Sequence, residues 1–147
     1  MNQNVKEAYG SLEEDYMKIS KDYLSLDESN VEEALLKHTS IYAFFSSVLT
    51  YAKRVKDLKS ITLETAEART MDEKRENCVR LGEKITQGAL NNYILMVPEL
   101  VKLRKKLVNA DTKYSLAKNI TSALDHQKDL LVQLSANKRA EMKLHEL

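Results

Sequence analysis

The sequence predicts an all-α protein: an elongated helical hairpin or bundle of two very long helices plus shorter ones, assembling as an oligomer. Two observations carry that class. Only 3 Gly and 1 Pro occur in 147 residues, so little in the chain stops a helix. Apolar positions recur every three or four residues, as in Val5, Tyr9, Leu12, Tyr16, Ile19 and Tyr23, and again in Leu100, Leu103, Leu107, Ala110, Tyr114, Ala117 and Leu124. That spacing lays one apolar stripe along each helix, and no stretch alternates like a strand. Helices this long need other helices to cover them, so assembly is expected.

The first helix is expected over about residues 4–26, with Gly10 tolerated inside it at a cost of about 1 kcal/mol. Asp27-Glu28-Ser29-Asn30 reads as a turn, and Asn30 with Glu33, or Ser29 with Glu32, forms a capping box for the next helix. That second helix carries Leu35, His38, Ile41, Tyr42, Phe45, Val48, Leu49, Ala52, Val55 and Leu58, and runs for up to about forty residues. Thr70 with Glu73 offers another cap, and the charged stretch 71–76 marks a break or an exposed continuation. Gly82 ends a helix. Thr86 then opens a short one of about ten residues through Tyr93-Ile94-Leu95-Met96-Val97. Pro98 suits the first turn of the last helix, which extends to about residue 140, with Glu99 favourable at its positive end. The stripes at 35–58 and 100–124 should bury against one another, within a subunit and between subunits. By composition the chain divides into an acidic N-terminal helix, 1–28, and a helical core domain, 29–147.

Net charge is +1, unevenly spread. Residues 1–33 carry 3 basic against 9 acidic side chains, a balance of −6. Residues 34–70 carry 6 against 3, and residues 101–147 carry 10 against 5. This polarity permits nucleic-acid binding at the basic segments, docking of a basic partner at the acidic one, or pairing of the two between subunits. The N-terminal stripe of Val5, Leu12, Tyr16, Ile19 and Tyr23 is expected to be buried in either case.

Enzyme chemistry is not expected. The glycines at 10, 82 and 88 are isolated, so no phosphate-cradling loop exists. Cys78, His38, His126 and His145 are scattered, which offers no metal-ligand pair, and no cofactor is implied. Asp111 and Asp125 lie about 21 Å apart by helical rise, too far for an acid–base couple. His38 sits near the apolar stripe and reads as a satisfied interface histidine. The single Cys78 rules out an intramolecular disulfide and points to a cytoplasmic setting. The apolar run 93–97 is too short for a membrane span, and the first residues lack the apolar core of a signal peptide.

Two cationic clusters remain. Lys53, Lys56 and Lys59, with Arg69 further on, form the first candidate nucleic-acid surface; Tyr42 and Tyr51 lie close enough in sequence to contribute stacking, though Tyr42 is expected to pack. Arg104, Lys105 and Lys106, next to Lys102, form a weaker second candidate. The plain alternative is that these lysines keep long helices in solution.

The order of motifs resembles a known family. Tyr51-Ala52-Lys53 precedes Glu67-Ala68-Arg69 on one long helix. Gly82-Glu83-Lys84-Ile85-Thr86 leads to Val97-Pro98-Glu99, and Ala123-Leu124-Asp125-His126-Gln127-Lys128-Asp129-Leu130-Leu131 precedes Lys138-Arg139-Ala140-Glu141-Met142. Over residues 31–143 this layout resembles the recombination-mediator proteins of tailed bacteriophages. The resemblance implies a ring-like homo-oligomer in the host cytoplasm. It also implies binding of single-stranded DNA, and partnership with a strand-exchange recombinase and a single-strand-binding protein. In that family a Lys and an Arg two apart on the second helix touch DNA. Arg69 matches the arginine, but Glu67 stands where the lysine belongs, so Lys53, Lys56 and Lys59 would supply the charge. The alternatives are a structural or scaffolding helical protein without nucleic-acid binding, and a coiled-coil adaptor docking through its acidic first helix.

Overall fold

The computed structural model describes residues 2–25 and 30–145. They form four helices: α1 (Gln3–Leu24), α2 (Val31–Arg80), α3 (Gln87–Met96) and α4 (Pro98–His145). The all-α class with two long and two short helices holds, and α2 and α4 reach 50 and 48 residues.

Local chemistry sets the helix ends. Asn2 caps α1, its Oδ1 accepting from the Asn4 amide at 3.2 Å. The turn at 27–29 and the Ser29–Glu32 cap lie outside the described residues. The Asn30–Glu33 box is present: the Glu33 amide donates to Asn30 Oδ1 at 3.3 Å, and Asn30 Nδ2 donates to Glu33 Oε2 at 2.6 Å. Gly82, at φ +72°, closes α2. Its amide bonds to Val79 O and the Glu83 amide to Cys78 O, the paired contacts of a glycine-terminated helix. Thr86 Oγ1 accepts from the Ala89 amide to start α3. Pro98, which has no amide hydrogen to leave unpaired, begins α4 directly after the extended residue Val97.

The cap at Thr70 does not form. Its hydroxyl instead donates to Ala66 O at 2.7 Å within an unbroken helix. Glu73 pairs with Arg69 one turn back rather than reaching for a helix start.

The chain forms two compact units. Unit 1 comprises residues 1–52 and 113–147; its core joins Val5 and Leu12 of α1, Phe45, Val48 and Ala52 of α2, and Ala117, Ile120 and Leu124 of α4. The expected α1 stripe is buried at Val5 and Leu12 and half-buried at Tyr16 and Ile19, while Tyr23 stays 42 % exposed. Polar bonds fasten the same helix. Lys113 Nζ donates to Gly10 O at 2.7 Å and lies over the Tyr9 ring, and Gln127 Nε2 donates to Tyr23 O and Ser25 O at the end of α1. His38 is buried, with Nε2 2.7 Å from Leu124 O, so it is satisfied inside the subunit.

Unit 2 comprises residues 53–112, with Leu63, Ile94 and Leu100 at its core. Leu58 and Ile61 remain more than half exposed, so the α2 stripe is not fully covered there.

Candidate nucleic-acid interface

Unit 2 holds 13 basic and 9 acidic side chains, a net +4. The remaining residues hold 10 basic and 13 acidic, a net −3. All seven cations singled out from the sequence belong to unit 2, and the structure sorts them by what they already hold.

Lys53 is exposed and Lys59 half-buried. No ion pair engages either of them among the described residues. Successive helical steps of about 100° spread Lys53, Lys56 and Lys59 over an arc of about 120°, a broad cationic flank on α2. Lys56 pairs with Asp111 of α4, and Arg69 pairs with Glu73 at 2.8 Å. The Arg69 pair is water-exposed, the arginine to 80 %, whereas Lys56 is half-buried. An exposed pair contributes about 0–1 kcal/mol, so a phosphate can displace the carboxylate from Arg69 at little cost.

Arg104 is different. Its Nε and Nη2 donate to one oxygen of Glu67 at 3.1 and 2.6 Å, and Nη2 also reaches Ile94 O at 3.1 Å. Nη1 lies 3.4 Å from Leu95 O. One guanidinium thus ties α4 to α2 and supplies donors to the last carbonyls of α3, which a helix end leaves without intrahelical partners. Both side chains of the pair are only 26 % exposed. This arginine is committed to the fold. Its neighbours Lys105 and Lys106 are exposed, as is Lys102; at positions i, i+3 and i+4 these three share one face of α4.

Both tyrosines near these lysines are packed, Tyr42 as expected and Tyr51 instead of standing free to stack. Tyr51 meets Tyr9 edge to face at 5.2 Å. Tyr42 lies parallel to His38, and its hydroxyl points at Asp125 Oδ2, 3.5 Å away. The Tyr9 hydroxyl is pushed above its ordinary pKa, chiefly by burial, then by Tyr51 and Glu13. The aromatic group in unit 2 that sequence reasoning passed over is Tyr93, 40 % exposed, with Lys74 Nζ 5.1 Å from its ring centre. It was hidden in an apolar run read as uniform; helical phase alone separates it from its buried neighbour Ile94.

Among the described residues, no three His, Cys, Asp or Glu side chains converge as metal ligands, and no helix is long and apolar enough to cross a membrane. Comparison with protein-family models, curated proteins and solved structures returns no match.

Proposed function

We propose that this chain binds single-stranded DNA through unit 2 and acts without catalysis as a recombination mediator. In this reading it helps a strand-exchange recombinase onto DNA coated by single-strand-binding protein. The observation that carries the reading is the cationic flank of α2. Lys53 and Lys59 have no acidic partner among the described residues, and Arg69 has an exposed, exchangeable one. A row of such charges tracks a phosphate backbone without reading sequence. Tyr93 beside Lys74 supplies a ring and a cation of the kind on which an unpaired base stacks. Arg104 has no part in this surface.

Fluorescence anisotropy with labelled oligo-dT and with a duplex of equal length, across a salt series, tests the proposal. Tight, salt-sensitive binding with preference for the single strand is expected. Lys53→Ala/Lys56→Ala/Lys59→Ala should lower the slope of log affinity against log salt by about 2, at about 0.7 per phosphate contact on a single strand. Equal affinity for both DNAs, or an unchanged slope in the triple variant, would overturn it. A second reading, a helical assembly protein without nucleic-acid binding, is favoured by exposed apolar side chains such as Leu36, Leu58, Ile61 and Val79 of α2, which a partner helix could cover.

A further inference from the structure

We infer that unit 1 carries a docking groove for the Lys102–Lys106 segment of a second copy of this chain. The groove lies between α1 and α2 and measures about 320 Å³. Aromatic side chains form part of its wall: Tyr23 meets Phe45 edge to face at 5.5 Å, and Phe44 meets Phe45 at 5.4 Å. Asp15 and Asp22, two helical turns apart on α1, line it together with Lys18. Among the described residues neither aspartate has an ion-pair partner, although Lys18 lies between them in sequence. An apolar, aromatic wall with two unclaimed carboxylates suits the stem and ammonium head of lysine: the methylenes cover the rings, the charge meets a ring face or a carboxylate.

The complementary half is on the same chain. Lys102, Lys105 and Lys106 stand on one exposed face of α4 with no ion-pair partner among the described residues, and they belong to the unit whose net charge is +4. The groove belongs to the unit whose net charge is −3. Opposite charges on two different surfaces of one chain make a head-to-tail contact, which propagates from copy to copy instead of closing as a two-fold dimer. The contact differs from burial of the long apolar stripes between subunits, and it needs no nucleic acid. It leaves Lys53 and Lys59 open, so it stands or falls apart from the proposed DNA surface.

The test is self-association of the full chain without DNA, followed by sedimentation velocity over a range of concentration and salt. Wild-type protein should associate at low salt, and less as salt rises. Asp15→Lys/Asp22→Lys and Lys102→Glu/Lys105→Glu/Lys106→Glu should each weaken association by about tenfold or more, the scale expected when like charges face one another. Mixing the two variants, or combining all five changes in one chain, should restore it. Asp15→Asn/Asp22→Asn, which preserves side-chain size, should weaken association in the same direction, with helical content checked by circular dichroism. A monomer at every concentration would overturn the inference. So would association unaffected by the Asn variant, or charge-swapped mixtures that stay apart.

Discussion

Replacing Arg104 with methionine separates a cation that holds the fold from one that meets solvent. Arg104→Met keeps the length and apolar stem of the side chain and deletes its donors. Lost with them are two contacts to Glu67, at 3.1 and 2.6 Å, and the bond to Ile94 O. Removing one partner of a fully buried ion pair costs about 3–5 kcal/mol, whereas an exposed pair is worth about 0–1. At 26 % exposure on each side, this pair lies nearer the buried limit, and a cost of about 2–3 kcal/mol follows. Unfolding entropy of about 2.1 cal/mol/K per residue gives about 0.3 kcal/mol/K for a chain of 147 residues. The melting temperature should therefore fall by about 6–10 °C when the chain unfolds in one transition.

The assay is thermal unfolding by far-ultraviolet circular dichroism of Arg104→Met, Glu67→Leu and the double variant. Because Arg104 keeps its carbonyl acceptors when Glu67 is removed, Glu67→Leu should cost less than Arg104→Met. The two changes should couple by about 1–2 kcal/mol, as residues in one polar network do. The slope of DNA affinity against salt should stay as in wild type. A melting temperature within about 2 °C of wild type, or coupling below about 0.5 kcal/mol, would refute the placement of this guanidinium as an internal tie.

Two further outcomes follow from unit 1. His38 Nε2 meets a carbonyl oxygen, which only accepts, so Nε2 must carry the proton; nitrogen NMR of the imidazole should show that tautomer. His38→Leu should cost about 1 kcal/mol, the net value of one hydrogen bond, because Leu124 O keeps its place in the α4 ladder; a loss above about 3 kcal/mol would refute this account of His38. In an alkaline ultraviolet titration Tyr9 should ionise above the ordinary value of 10.0, and Tyr9→Phe should remove that step. The folded-state pKa of Tyr9 is raised, so folding favours its neutral form. Its contribution is intact below the unfolded value, is lost as pH rises through the raised folded value, and should vanish from the stability profile of Tyr9→Phe.

The parts of the fold that were legible in the sequence are those decided within a few residues. Gly82 takes a positive φ that other side chains resist, Thr86 reaches an amide three residues on, and Pro98 starts a helix where its missing hydrogen costs nothing. The stretch 70–76 was ambiguous because Thr70 has two local choices. Its hydroxyl can cap a new helix or bond back to Ala66, and packing of Met71 and Ala66 against the core of unit 2 accompanies the second. The environment of Tyr51 was illegible for a related reason. Nearness to lysines in sequence made Tyr51 a candidate for stacking, but the partner that claims it, Tyr9, comes from another helix 42 residues away.

The same distinction governs the candidate site. Arg104, Lys105 and Lys106 are consecutive cations on one helix. What divides them is a carboxylate on another helix: Arg104 finds Glu67, 37 residues earlier in the chain, and the two lysines beside it find solvent. The register between α2 and α4 that brings Glu67 to Arg104 also brings Asp111 to Lys56, and neither meeting is written in the neighbourhood of either residue. Charge counts along a helix therefore overstate a binding surface by the cations that the fold has already spent. In this chain that subtraction removes Arg104 outright, engages Lys56 with Asp111, and leaves Arg69 with a weak, displaceable partner. Of the cations singled out from the sequence, Lys53, Lys59, Lys105 and Lys106 are the ones left without an ion-pair partner among the described residues, and substitution of each tests whether it meets an anionic partner.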